Sequence, residues 1–285
     1  MSKQYALLGE SLKHTMSPPI HKRLFELKGR EFEYEVTELK ADELEKNKDK
    51  LLSLAGFNIT IPHKMGIIPY CDRLDESAKR YNSVNCVDNK GGVHTGYNTD
   101  CDGFLKTIQA MGAQFKDNDI LLIGCGGVGR MMAIEASLKG GRLTIAVLES
   151  DMPLAKKVKE EILAVKADAD INIILTSQLE EVERVSLLMN ATPVGMFPKE
   201  DACPVPDSVI EKSEYVFDVI YNPRETQLIR KAKALGKKAS GGMAMLVYQA
   251  VSAHEIWDGD IYDDADIARL ITDMEDMVEK DFGKK

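Results

Sequence analysis

Asn58-Ile59-Thr60-Ile61-Pro62-His63-Lys64 places an amide, a hydroxyl and an ammonium within seven residues. Asn58-Ile59-Thr60-Ile61 alternates polar and apolar side chains, the period of a half-buried strand. Side chains two apart on a strand share a face, so Asn58 and Thr60 point to one place. Pro62 stops the strand and delivers Lys64 just beyond its end, where open α/β sheets bind their ligands. A lysine so placed can exchange the proton of an alcohol. Its ordinary pKa is about 10.4, which burial lowers and a neighbouring carboxylate raises. Asp100, in Asn98-Thr99-Asp100, is the partner that would orient the ammonium. Taken singly, Lys64 reads as a surface lysine and Asp100 as a turn residue. Asn58, Thr60 and Asn98 beside them favour a shared small-molecule site.

A second motif supplies the other half of such a reaction. Gly124, Gly126 and Gly129 match G-x-G-x-x-G, with Gly127 between them, after the buried run Ile120-Leu121-Leu122-Ile123 and before a helix. In that context the glycines allow a tight turn and close backbone approach, and the helix N-terminus holds a pyrophosphate. No Lys-Ser/Thr follows, which excludes a nucleoside triphosphate loop. The competing reading is a glycine turn that only packs a helix on a sheet. Glu149 lies 20 residues past Gly129. An acidic residue there hydrogen-bonds a ribose 2′-hydroxyl and repels a 2′-phosphate, favouring NAD over NADP. Equally, it reads as a solvated carboxylate where the next helix starts, with Ser150 or Asp151 as cap.

His14-Thr15-Met16-Ser17 carries hydroxyls on alternate residues beside a helix start. Ser17 followed by Pro18 is a helix N-terminus by composition; Thr15 and Ser17 could also hold a substrate carboxylate there. His14, His21 and His63 lack metal-ligand spacing, and no metal is expected.

These residues need a scaffold of alternating strands and helices. Tyr5–Leu8 reads as a strand, and Ser17 as the cap of a helix that carries Ile20, Leu24 and Leu27 on one face and stops at Gly29. Phe32, Tyr34 and Val36 mark a second strand, followed by a polar helix from about Ala41 to Leu54. Val84–Asn89 and Gly92–Gly96 form a hairpin around Lys90-Gly91. From Ile120 the pattern changes to a helix over Arg130–Leu138 and strands at Leu143–Leu148, Ile171–Leu175, Leu187–Asn190 and Tyr215–Ile220, which implies parallel βαβ units. Two helices, Met243–Trp257 and Ala265–Lys280, close the chain.

The chain has 285 residues, 44% of them hydrophobic and 29% charged, enough for two compact domains. A net charge of −9 argues against nucleic acid or an anionic membrane as partner; Lys284-Lys285 is too short a basic stretch to count. The apolar stretch ending at Leu8 is too short for a signal-peptide core. The longest later run, around Met243 to Ala253, falls short of a membrane span of about 20 residues. Five cysteines, at 71, 86, 101, 125 and 203, have no CxxC spacing and read as reduced thiols of a cytoplasmic protein.

Taken together, the motifs resemble the shikimate dehydrogenase family along the whole chain. They are Thr15 with Ser17, Asn58-Thr60-Lys64, Asn85 in Val84-Asn85-Cys86, Asn98-Thr99-Asp100, Asn190-Ala191-Thr192-Pro193, Asp218-Val219-Ile220-Tyr221, and Gly242 before Met245-Leu246-Val247-Tyr248-Gln249. The resemblance implies a two-domain α/β fold, with a substrate domain over residues 1–102 and 238–285 and an inserted Rossmann-type dinucleotide domain over 103–237. It implies reversible, nicotinamide-dependent reduction of 3-dehydroshikimate to shikimate, a step of aromatic amino acid biosynthesis, by a monomer or homodimer. Lys64 and Asp100 would be the catalytic pair. Thr15, Ser17, Asn58, Thr60, Asn85, Tyr221 and Gln249 would contact substrate. Gly124, Gly126, Gly127, Gly129, Glu149, Thr192, Val219 and Gly242 would contact cofactor. Thr15 replaces the family's usual serine and Cys86 a usual threonine. Val147-Leu148-Glu149 stands where NADP-type members carry Asn-Arg-Thr, which leans the cofactor towards NAD. Two alternatives follow: an NAD-dependent quinate/shikimate dehydrogenase, and a non-catalytic dinucleotide-binding sensor.

Overall fold

The computed structural model describes residues 3–13 and 15–282; His14 and the Lys284-Lys285 pair lie outside the described residues. The chain groups into two compact units. One comprises the chain up to Gly103 with Leu246–Met274; the other comprises Phe104–Met245 and the segment from Glu275.

In chain order the first unit begins with β1 (Lys3–Gly9), α1 (Ser17–Leu27), β2 (Phe32–Glu38), α2 (Leu44–Leu52), β3 (Gly56–Ile59) and α3 (His63–Gly66). It continues with β4 (Arg73–Leu74), α4 (Glu76–Tyr81), β5 (Cys86–Lys90), β6 (Val93–Tyr97) and the start of α5 (Thr99–Ala110). Its sheet runs β2-β1-β3-β5-β6-β4. β1 pairs parallel with both neighbours, and the hairpin makes β5 antiparallel to β3 and β6. Gly91 and Gly92 close the hairpin with φ of +65° and +81°, a conformation glycine adopts without strain.

Alternation along the strands divides the core between two faces. Ala6, Leu8, Phe57 and Ile59 pack with Leu44, Leu51 and Ile67 on one side. Tyr5 and Cys86 pack with Phe25, Ala253 and Trp257 on the other. Gly56 lies beneath that tryptophan, since a Cβ there would sit 2.4 Å from Trp257 Nε1. Asn58, two residues on, shares the same face.

The second unit carries β7 (Asp119–Ile123), α6 (Gly127–Leu138), β8 (Arg142–Val147), α7 (Met152–Val165), β9 (Ile171–Leu175) and β10 (Val185–Asn190). After these come α8 (Asp207–Glu211), β11 (Ser213–Asp218), α9 (Gln227–Ala234) and β12 (Lys238–Ser240). α10 (Gly242–Asp258) and α11 (Asp264–Phe282) complete the chain. Its sheet runs β12-β11-β10-β7-β8-β9, parallel throughout. Counted from β7, that is the doubly wound order whose direction reverses between the first and fourth strands, the place where such sheets bind dinucleotides.

Three local expectations change. The strand before Lys64 ends at Ile59; Thr60 N–H still reaches Leu8 O at 2.8 Å, but Ile61 is exposed. Ser17 does not cap α1: it is the first helical residue, and its N–H donates to Thr15 Oγ1 at 3.3 Å. α6 begins at Gly127, three residues before the apolar pattern becomes visible, because the glycines contribute no side-chain periodicity.

Candidate active site

Lys64 lies on the single turn α3, held from both ends. His63 is buried with Nε2 2.7 Å from Leu39 O, and Val84 N–H donates to Lys64 O at 2.8 Å. The Lys64 ammonium reaches Asp100 Oδ2 at 2.5 Å, with both side chains about a quarter exposed or less. Asp100 stands in the first turn of α5, where a carboxylate is favoured by the helix dipole. Its second oxygen accepts from Asn85 Nδ2 at 2.8 Å. Asn85 Oδ1 in turn accepts the Thr99 N–H at 2.7 Å, and Thr99 Oγ1 lies 3.4 Å from Gln249 Oε1. One network thus joins Lys64, Asp100, Asn85, Thr99 and Gln249. Asn85 spends its amide inside it, orienting the aspartate. Thr99 was not among the expected site residues, although it stands inside the Asn98-Thr99-Asp100 motif.

Asn58 differs from Asn85. It is 4% exposed; its Oδ1 accepts from Tyr34 OH at 2.9 Å, and its Nδ2 has no hydrogen-bond partner among the described residues. A buried N–H group without a partner is costly, and a bound ligand would satisfy it. Tyr34 is a further residue that motif reading passed over, since it served there only to mark a strand. Thr60 follows β3, half-buried. Ser17 is buried and Thr15 half-buried at the start of α1, with no hydrogen bond to the Lys64 network among the described residues. Tyr221 belongs to the other unit, where burial pushes its phenol pKa up.

In the second unit the glycine turn follows β7 at the switch point. Gly124 has φ +85°, and a Cβ there would lie 2.5 Å from Thr192 Cγ2; one on Gly129 would lie 2.6 Å from Gly124 O. Around Gly126 and Gly127 a Cβ would meet nothing within 4 Å. The turn is therefore closed towards the sheet and open outward at the start of α6, which carries no side-chain cap. These features fit a pyrophosphate on the free N–H groups. Cys125 points inward, its thiol pKa pushed up to about 11 by burial, so it stays protonated.

Around the turn, Asn190 Oδ1 accepts from Thr192 N–H and Oγ1, at 3.0 and 2.7 Å. Burial raises the Asp218 carboxyl to about 6, against hydrogen bonds from Thr226, Ile220 N–H and Asn190. Gly242 lies against the Val219 loop, where a Cβ would fall 2.0 Å from Val219 O, so packing alone demands glycine there. Glu149 is exposed just past β8, its carboxylate unpaired among the described residues. Arg142 is bound to Asp119 and Arg130 to Glu161, at 2.7 and 2.6 Å.

A doubly wound unit with a glycine turn, together with a unit carrying a lysine–aspartate pair, defines the class of dinucleotide-dependent oxidoreductases. Residues 7–87 match the model of the shikimate dehydrogenase substrate binding domain. A shikimate dehydrogenase (NADP(+)) of Caldanaerobacter subterraneus subsp. tengcongensis is 32% identical over 270 residues, spanning 92% of this chain and 94% of the relative. Among solved structures, a chorismate mutase/shikimate 5-dehydrogenase fusion protein from Clostridium acetobutylicum aligns with TM-score 0.87 and 27% identity, over 99% of this chain and 100% of that one. Shikimate 5-dehydrogenase from Listeria monocytogenes in complex with shikimate and NAD aligns with TM-score 0.83 and 27% identity, over 95% and 96%. The chain belongs to the shikimate dehydrogenase family.

Proposed function

We propose that this protein is a shikimate dehydrogenase that reversibly reduces 3-dehydroshikimate to shikimate. The observation that carries the reading is the Lys64–Asp100 pair, 2.5 Å apart, beside a buried and unsatisfied Asn58 amide in the unit that matches the substrate-binding model. Gly124, Gly126, Gly127 and Gly129, with Thr192, Val219 and Gly242 nearby, would hold a nicotinamide dinucleotide, which would supply or accept the hydride when bound. Lys64 gives its proton to the oxygen of the forming alcohol and takes it back in the reverse direction. Asp100 fixes the ammonium and accepts from a ring hydroxyl. Asn58, Thr60 and Gln249 bind the remaining ring oxygens, Asn85 acts through Asp100, and Thr15 with Ser17 receives the carboxylate at the start of α1.

For the cofactor we favour NAD. Glu149 would accept from a ribose 2′-hydroxyl and repel a 2′-phosphate, and both Arg130 and Arg142 are engaged by carboxylates. The named relative is an NADP(+) enzyme and the Listeria structure holds NAD, so the choice rests on Glu149. No helix of the described residues is long and apolar enough to cross a membrane. The five cysteines form no disulfide among the described residues, which supports a cytoplasmic setting.

The test is a spectrophotometric assay of nicotinamide reduction with shikimate and quinate against NAD and NADP. Turnover of shikimate supports the proposal. Preference for quinate would make the protein a quinate dehydrogenase, and no reduction with either cofactor would favour a sensor.

A further inference from the structure

Asn58 can donate to a ligand only if its amide is held one way round. The two ends of a carboxamide have nearly the same shape, and their orientation follows from their hydrogen-bond partners. The partner here is Tyr34, two strands away across β1. Its hydroxyl donates to Asn58 Oδ1 at 2.9 Å, which turns Nδ2 to the unpartnered side.

Tyr34 is itself fixed from behind. Its ring stacks on the His21 imidazole, with centroids 4.5 Å apart and planes inclined by 16°. His21 Nδ1 lies 3.1 Å from His254 Nε2, and His254 Nδ1 lies 2.9 Å from Tyr262 OH. Both histidines are fully buried, so the Tyr34 ring rests on a solvent-free face. Burial also keeps both rings neutral and the Tyr34 phenol protonated, leaving its O–H available as donor.

We propose that Tyr34 is a positioning residue for the substrate site: it locks the Asn58 carboxamide so that Nδ2, a donor, faces the substrate and selects an oxygen acceptor there. The inference rests on the reading of Asn58 as a substrate contact.

Tyr34→Phe keeps the ring and its stack on His21 and removes only the O–H. In that variant the Asn58 amide can turn its oxygen towards the substrate. KM for shikimate should rise about five- to tenfold, with kcat changed less than twofold, as expected for a lost binding interaction. The control is the same substitution in an Asn58→Ala background, where no amide remains to be oriented and the effect on KM should vanish. An unchanged KM in Tyr34→Phe alone overturns the proposal. So does an equal KM increase in both backgrounds, since that would mean general loosening of the sheet. If Asn58→Ala alone leaves KM unchanged, Asn58 is not a substrate contact; the site assignment then fails first, and the role of Tyr34 with it.

Discussion

Asp100 divides its two carboxylate oxygens between two donors: Oδ2 takes the Lys64 ammonium at 2.5 Å and Oδ1 takes Asn85 Nδ2 at 2.8 Å. The division sets the geometry of the site. Asn85 fixes the carboxylate plane, the carboxylate fixes the ammonium, and α3 is too short to do so alone. Lys64 is thus held by contacts from α3, the segment before β5 and α5, which lie far apart in sequence.

Replacing Lys64 by Met keeps the stem of the side chain and removes the exchangeable proton. Loss of a positioned acid–base group costs roughly 10²–10⁴ in rate. Steady-state kinetics should show kcat reduced by that order, while shikimate affinity by equilibrium titration changes only a few-fold. Near-normal kcat would remove Lys64 from the chemistry.

Asp100→Asn is nearly isosteric but presents one NH2 where two donors converge. Either Lys64 or Asn85 must then face another donor. Hydrogen bonds to charged groups contribute about 1.5–3 kcal/mol, which predicts a fall in kcat/KM of roughly 10- to 150-fold. Measurement of kcat/KM for shikimate decides it; a loss below threefold would show that the carboxylate is dispensable.

Much of this was legible in the sequence because it is carried by local pattern. The strand Ile171–Leu175 has its expected bounds, and the glycine turn sits between a buried strand and a helix as its spacing requires. What escaped was contact between segments remote in sequence. Thr99 reads as part of a turn, yet it opens α5 and links Asn85 to Gln249, 150 residues on. Tyr34 reads as one of three apolar markers of a strand; its hydroxyl matters only because β2 and β3 flank β1 in the sheet. Likewise His21, read from the sequence as lacking metal-ligand spacing, is wholly buried against His254, 233 residues away in sequence.

Two glycines of the turn, Gly129 and Gly126, should respond differently to alanine. At Gly129 the new Cβ would sit 2.6 Å from backbone Gly124 O, which cannot yield easily; such overpacking costs about 1–3 kcal/mol. At Gly126 the Cβ meets open space. Gly129→Ala should therefore lower the melting temperature by several degrees. Gly126→Ala should leave it nearly unchanged and raise the cofactor KM several-fold, because the methyl group occupies the side from which a pyrophosphate would approach. Equal melting temperatures for both variants would contradict the packing argument.

The buried histidines predict acid sensitivity. Burial lowers the His254 pKa to about 3, with a smaller opposing influence from Asp258, and lowers that of His21 well below the ordinary value. Although Asp260 lies 3.7 Å from His254 Nδ1, the neutral ring makes no ion pair with it near neutrality. Since the folded state resists protonation, the stabilisation is complete above the unfolded value of about 6.5 and is lost as pH falls below it. By pH 5 the loss from His254 approaches about 2 kcal/mol, and His21 acts in the same direction. Urea unfolding at pH 7.5 and pH 5 should show that decline in the native protein and a shallower one in His254→Gln. Identical pH dependence in the two would show that His254 does not set it.

Cofactor choice turns on one exposed carboxylate, that of Glu149. Two unit charges about 4 Å apart repel by roughly 1 kcal/mol in water and about 4 kcal/mol near a protein surface, so Glu149 beside a 2′-phosphate would cost from about fivefold to nearly three orders of magnitude in affinity. Removing it with Glu149→Ala should raise kcat/KM for NADP about tenfold and lower it for NAD, which loses a hydrogen-bond acceptor at its ribose. The arginines cannot replace that carboxylate's influence with attraction for a phosphate, because Asp119 and Glu161 already hold them. Kinetics of both proteins with both cofactors provide the check. A native preference for NADP, unchanged in the variant, would place the 2′-phosphate away from Glu149 and return the chain to the NADP-type pattern of its named relative.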